Sequence, residues 1–438
     1  MERIKRRRLL AAALFGAGAG GVGVTAGILS WGRAAAPAAV TPTPGESSTS
    51  EAAGPIATAS PSPSASPSPS KAKTGFAHPG MLHTQADVDR MKAKVKAGAQ
   101  PWKAGWDKLV ANSHSQSTWT ARPAATVIRG GDGQNYTTLY NDIHAAYQNA
   151  LRWKISGERA HGDAARDILN AWSATLKQVT GNADRFLAAG IYGYQFANAA
   201  EILRGYDGFD LARFQRMMLE VFYPLNDQFL VKHNDACITN YWANWDLCTM
   251  ASVLAIGILC DDKAKVNRAI AYFRTGPGNG SIMKAVPFLH SGGLGQWQES
   301  GRDQGHTTLG VSLMGAFCEM AWNQGHDLYG YADNRFVKGC EYIAKYNLGQ
   351  DVPFTTYNWG TGQSCAPQSQ TVISAASRGQ DQPSWELVYN HYARRRGLPV
   401  PNITAYAKRV RVEGGGGDYG PNSGGYDQLG FGTLTHTR

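Results

Sequence analysis

From about residue 84 onward the chain repeats apolar side chains at i, i+3, i+4 and i+7, segment after segment. That is the period of helices that bury one face. HTQADVDRMKAKVKAG opens with Thr84 as an N-cap, and DIHAAYQNALRWKISG, HGDAARDILNAWSATLKQVTG, LAAGIYGYQFANAAEILRGY and LARFQRMMLEVFYPLNDQFL continue the pattern. WANWDLCTMASVLAIGILCDDKAKVNRAIAYFRTG, HTTLGVSLMGAFCEMAWNQG and ADNRFVKGCEYIAKYNLG extend it, with Gly or Asn closing several of the segments. Consecutive helices with short links predict antiparallel hairpins. Enough hairpins curl into an α/α toroid, an incomplete α/α barrel with its cleft at one end. No repeat consensus of about 34 or 40 residues is visible, which disfavours a solenoid. ARPAATVIRG and YGPNSGGYDQLGFGTLTHTR lack the helical period and read as loops or short strands at the margins.

The first 74 residues follow different rules. Residues 1–40 join a basic head to an Ala/Gly/Leu stretch and then to small residues around Ala34–Ala36, which predicts an export signal, with an uncleaved membrane anchor as the alternative. The run Arg6-Arg7-Arg8-Leu9-Leu10 loosely resembles a twin-arginine signal. Residues 41–74 are Pro, Ser, Thr and Ala with almost no large apolar side chain, too little to offset the entropy of ordering, so they predict a disordered linker. The helical domain is expected over 75–438, secreted or held at a cell surface.

Charge narrows the partners. Of the formal net charge of +10, the first 40 residues carry +5 and the linker none, leaving +5 on the domain. Beyond residue 40 the one dense basic run is Arg394-Arg395-Arg396, so nucleic acid is disfavoured, while a mild positive balance suits a polyanionic substrate and equally an ordinary solvated surface. The six cysteines show no CxxC or CxxH spacing, so neither a metal site nor a cofactor is expected. Most lie in apolar helical context, and the sequence does not say which of them pair.

Three stretches carry candidate chemistry. In QWQESGRDQGHTTLG, a helix starting near Glu299 would place Glu299, Arg302, Asp303, His306 and Gly310 on one face, with Leu309, Leu313, Phe317 and Met320 packing beside it. Such a stripe either faces a cleft or forms a salt-bridged structural node. In CITNYWANWDLCTM, Asn240, Tyr241, Asn244 and Trp245 crowd amides and aromatics together, either to cap a helix or to line a sugar subsite. Between Thr355 and Tyr392, a polar aromatic loop containing Tyr357 precedes Arg378, Glu386, Tyr389, His391 and Tyr392.

Together, ITNYWANWDLCTMASVLAIGILCDD, the ESGRDQGH block with its following WNQG and DLYG, and RGQDQPSWELVYNHY resemble the alginate lyase superfamily of polysaccharide lyases, which are α/α toroids. The resemblance spans most of residues 78–396 and is nearer the alginate and glucuronan lyases with a larger toroid than the shorter periplasmic enzymes. The latter carry an Asn-His pair, whereas here Tyr241 follows Asn240 and Trp245 follows Asn244. The resemblance implies β-elimination on a uronic-acid polymer, with Asn244 neutralising the carboxylate alongside Arg378 or Arg302. His306 suits the base, and Tyr357, Tyr389 or Tyr241, in falling order, would protonate the leaving oxygen. Asn240, Tyr241, Trp245, Glu299, Arg302 and Tyr389 are expected to bind substrate. A glycoside hydrolase on the same toroid, needing two facing carboxylates with Asp246 or Glu386 as opposing candidates, and a non-catalytic glycan-binding module are the alternatives.

Overall fold

The computed structural model describes residues 75–420 and 426–438. The expected signal and linker lie outside the described residues. Among those described, no helix is long and apolar enough to cross a membrane.

The helical expectation holds. Thr84 caps the Gln85–Lys96 helix through a capping box with Asp87, satisfying backbone N–H groups that the first turn leaves without partners. Tyr136–Ser156 pairs with Arg159–Thr175 across a link where Gly157 adopts the left-handed conformation that stops a helix cheaply. Gly193–Leu203 precedes a longer outer helix, in which Leu211–Met217 runs through one wide turn, Met218–Phe222, into Tyr223–Lys232. Ala243–Leu259 pairs with Lys263–Thr275, and Gln304–Asn323 packs on Tyr331–Asn347.

One member of each pair lies on the inside. The inner helices Tyr136–Ser156, Gly193–Leu203, Ala243–Leu259 and Gln304–Asn323 contact one another in chain order. Every residue of Ala243–Leu259 except Trp245 is buried, as expected of a helix covered on all sides. Trp385–Tyr389, the short Gly432–Thr435 turn and the Gln85–Lys96 helix make the return from Gln304–Asn323 to Tyr136–Ser156. The result is an α/α toroid whose last sector is made of short pieces. Among the described residues, strands are confined to three two-stranded ladders: Thr126–Ile128 with Gln178–Thr180, Phe288–His290 with Leu294–Gln296, and Tyr357–Thr361 with Ala366–Gln370.

One expectation is corrected. The helix of the QWQESGRDQGH stretch begins at Gln304 rather than near Glu299, because Asp303 is extended (φ −168°) and its carboxylate accepts the His306 backbone N–H as an N-cap at 2.8 Å. Glu299–Arg302 therefore form a turn ahead of the helix.

The last sector contains a buried acid. Glu413 Oε1 accepts the backbone N–H groups of Trp385 (2.7 Å) and Glu386 (3.0 Å), while Glu386, also buried, is ion-paired with Arg411. Burial first, and the neighbouring Glu386 charge second, push the Glu413 carboxyl up to about 8. An acid whose pKa is raised on folding binds more protons in the native state, so its contribution to stability is present at low pH and is lost as pH rises through about 8. Glu413→Gln keeps the acceptor oxygen and removes the titration. Between pH 6 and pH 9 the wild-type Tm should fall by roughly 2–4 °C more than that of the variant, measured by calorimetry; parallel falls would show that the acid does not titrate there.

Candidate active site

The site is assembled from two loops that precede inner helices. The Gln296–Gln304 turn is stitched to the irregular segment that follows the last hairpin, since Ser374 N donates to Ser300 O (2.9 Å) and Gln304 N to Ala376 O (2.8 Å). Gly301 is required at this crossing. A Cβ there would lie 2.8 Å from the Cβ of Gln370, which cannot move without its backbone.

Held this way, Gln298 and Glu299 reach the start of the Ala243–Leu259 helix. Gln298 Oε1 accepts the Ala243 N–H at 3.0 Å and Glu299 Oε1 accepts the Asn244 N–H at 2.9 Å, which satisfies two first-turn donors. The other Glu299 oxygen takes Arg302 Nη1 at 3.1 Å. Glu299 is fully buried, and burial raises its carboxyl against the opposing pull of Arg302 and His306. Arg302 Nη2 lies 3.1 Å from His306 Nε2, and His306 Nδ1 lies 2.7 Å from Asp303 Oδ2. A guanidinium can only donate, so Nε2 is the acceptor and the imidazole carries its proton on Nδ1, donated to Asp303. Burial alone would raise the Asp303 carboxyl, but the bonds from His306, with the Arg302 charge, outweigh it and hold the acid below its usual range. The His306 side chain is 42 % exposed. The ring has a defined tautomer and is open to solvent.

Asn244 stands beside this chain. Its residue is buried, and its side-chain oxygen has no hydrogen-bond partner, leaving the amide unused by the fold. Tyr357, on the hairpin, is tied in through Gln298, whose Nε2 donates to its Oη at 3.2 Å; the same Oη lies 3.3 Å from Asn279 Oδ1. Burial keeps the Tyr357 phenol protonated beyond its ordinary range. An aromatic row completes the wall: Tyr357 stacks on Trp359 (5.7 Å), Trp359 lies 5.1 Å from Trp242, and the Arg302 guanidinium sits 5.2 Å from the Trp242 ring.

The structure thus brings together Asn244, Glu299, Arg302, His306 and Tyr357. Asn240, Tyr241 and Trp245 adjoin the group with other duties. Asn240 Oδ1 accepts the Gly362 N–H of the hairpin turn (2.7 Å), Tyr241 Oη accepts from Asn234, and the Tyr241 and Trp245 rings pack on each other and on Phe229. Arg378 and Tyr389 are not brought to it. The Arg378 guanidinium donates to the carbonyls of Tyr346 and Gln350 and stacks on the Tyr346 ring at 3.8 Å, spending itself on the end of an outer helix. Tyr389 lies under Arg411 in the last sector, among core side chains. Trp242, Trp359, Gln298 and Asn279 belong to the site and were not singled out in the sequence. Asn279, whose amide holds the Thr239 and Tyr241 carbonyls, has no local signal.

Both carboxylates that could have opposed Glu299 or Asp303 in a hydrolase are engaged elsewhere. Asp246 is buried against His233 (2.9 Å) and Tyr272 (2.6 Å), and Glu386 against Arg411. Among the described residues no cluster of metal-ligating side chains is found.

The alginate lyase family model matches residues 91–353, more than half of the chain. The chain belongs to the alginate lyase family. Its fold is similar to that of alginate lyase A1-III from Sphingomonas species A1, at 12 % identity and a TM-score of 0.56, over 83 % of this chain and 98 % of that one. It is similar also to the apo form of a histidine-to-alanine variant of A1-III, at 12 % identity and a TM-score of 0.53, over 83 % and 97 % of the two chains. No curated protein matches the chain. At such identity the structural likeness establishes the toroid, and the family match makes this chain a polysaccharide lyase.

In this lyase a disulfide, Cys237–Cys365, joins the turn before Asn244 to the tip of the Tyr357 hairpin across 128 residues of sequence. A backbone bond from Cys237 N to Gly362 O (2.8 Å) and a bond from Gly360 N to the Thr239 side-chain Oγ1 (3.0 Å) run beside it. Closing so long a loop stabilises by roughly 3–5 kcal/mol. Replacing both cysteines by serine should lower Tm and cut turnover together, read by calorimetry and by product formation on one preparation; unchanged turnover would show that the hairpin does not help build the site.

Proposed function

We propose that this lyase cleaves a uronic-acid polymer of the alginate or glucuronan type by β-elimination, with His306 as base, Asn244 and Arg302 as carboxylate neutralisers and Tyr357 as proton donor. The observation that carries the reading is the junction of Arg302 with His306 Nε2 beside an uncommitted Asn244 amide. The hydrogen on C5 of a uronate is weakly acidic, and its removal requires donors on the adjoining carboxylate as enolate-like charge develops. Here those donors are an amide and a guanidinium. As the carboxylate enters, Arg302 exchanges its bond to Nε2 for one to the incoming anion, which frees the Nε2 lone pair to take the C5 proton. The electron pair of the broken C–H bond forms the C4–C5 double bond, the C4–O4 bond breaks, and Tyr357 returns a proton to O4. Glu299 stays ion-paired with Arg302 throughout and fixes where the guanidinium can swing. Trp242 and Trp359 offer apolar faces for sugar rings.

Export is part of the proposal. The composition of residues 1–74 and the Cys237–Cys365 disulfide support an oxidising, extracytoplasmic location.

The reaction leaves a 4,5-unsaturated uronate, which absorbs in the ultraviolet, whereas a hydrolase leaves a new reducing end without that chromophore and a binding module leaves neither. Residues 75–438 incubated with a panel of polyuronates should generate the absorbance on at least one of them. His306→Ala and Asn244→Ala should each lower kcat about 100-fold or more with Tm nearly unchanged. Full activity in both would remove the assignment. Tyr357→Phe should lower kcat by roughly 100-fold, measured against the same substrate; a loss confined to KM would reassign the phenol to binding.

A further inference from the structure

The segment 121–130, a loop or short strand by its sequence, delivers a cation beside the Ala243–Leu259 helix. Arg129 follows the Thr126–Ile128 strand, and its backbone N–H is fixed on Thr180 O at 3.0 Å. Its Nη1 donates to Tyr192 Oη at 3.1 Å, and its guanidinium lies 5.2 Å from the Tyr136 ring and 5.4 Å from the Tyr192 ring. Tyr192 ends the wide turn Ala188–Tyr192, which packs directly on the first half of the Ala243–Leu259 helix. A Cβ on Gly190 would meet Cys248 Sγ at 2.4 Å and Thr249 N at 3.0 Å. Cys248 follows Asn244 by one helical turn. The ring of Tyr140 stacks on Tyr426 at 4.1 Å, and next to Tyr426 the Asp427 carboxyl, raised by burial, is pulled the other way by Arg129 and by His306 together. Arg129 and His306 therefore both act on the Asp427 carboxyl.

Among the described residues, no carboxylate lies within ion-pair distance of Arg129. Asp427 and Asp184 act on its charge only from beyond that distance, whereas Arg302 has Glu299 at 3.1 Å, Arg395 has Glu319 at 2.7 Å, and Arg411 is paired with Glu386. A guanidinium walled by aromatic rings loses hydration and gains most from an anion that can accept two of its N–H groups. A polyuronate carries a carboxylate on every sugar. If one is held by Asn244 and Arg302, a neighbour along the chain is available to a second cation.

We propose that Arg129, aligned by Tyr192 and Tyr136, is a second carboxylate-binding position of this lyase and takes a uronate adjacent to the one undergoing elimination. The proposal rests on the polyuronate reading of the site. Arg129 is then a specificity residue, binding the charge of the polymer without touching the reacting carbon, and it favours runs of contiguous uronates over isolated ones.

The test measures binding apart from turnover. In a His306→Ala background, affinity for a saturated mannuronate or glucuronate tetrasaccharide, and for the same chain with its carboxyls reduced to alcohols, is determined by titration calorimetry. Adding Arg129→Ala should weaken the acidic chain at least tenfold and leave the reduced chain within about twofold, while Arg129→Lys should recover most of the loss. An equal fall for both chains would mean that Arg129 only props up the rings around it, and no fall for the acidic chain would mean that it meets no carboxylate; either outcome overturns the proposal. With His306 intact, Arg129→Ala should raise KM more than it lowers kcat. The polyuronate reading fails separately, by the absence of an unsaturated product from the wild-type enzyme.

Discussion

The Glu299 carboxylate is the constraint on which the site depends. It is fully buried, and its two oxygens face different tasks, one holding the Asn244 N–H at the head of an inner helix and the other holding Arg302. A buried charge is tolerated only when its lone pairs are met, and removing either partner would leave the rest uncompensated. Asn244, Arg302 and, through Arg302, His306 are therefore positioned by one group that substrate does not need to touch. The toroid makes this possible by bringing the leading ends of successive inner helices to the same face.

Around that centre the fold separates rigid supports from groups left free to react. Asp246, His233 and Tyr272 close on one another beneath the Ala243–Leu259 helix, and Asn279 fixes the turn before it. Apart from His233 Nδ1, which has no hydrogen-bond partner, these groups are engaged internally. The Asn244 side-chain oxygen has no partner, the His306 ring is exposed, and among the described residues Arg129 has no ion pair; in the proposed reading these are the groups that a polyanion meets. The disulfide-tied hairpin supplies the remaining wall, carrying Tyr357 and Trp359 on a short ladder that would be only marginally stable without the covalent tie and the contacts beneath it.

Much of this was legible in the sequence, and it was the local part. Helical period identified the outer helices because half of each faces water, and Thr84 announced its capping box because that motif closes within four residues. Asp303, Arg302 and His306 could be grouped because they sit in one stretch, although Asp303 turned out to cap the helix and not to lie inside it. What determines that local part is short-range: steric period, capping chemistry, and charges within one or two turns of each other.

Tertiary structure decided the rest. Whether an arginine serves the site or the scaffold depends on what surrounds it at distances of a few ångströms, and such neighbours come from far along the chain. Arg378 spends its donors on Tyr346 and Gln350, Arg302 stacks on Trp242, and Arg129 meets Tyr192 some sixty residues on. The pairing of Cys237 with Cys365, among six cysteines, has the same origin. Sequence alone determined which chemical groups this protein possesses and which helices would carry them. Only the packing of those helices, by burying some charges against partners and leaving others facing the cleft, decided which groups are free to act.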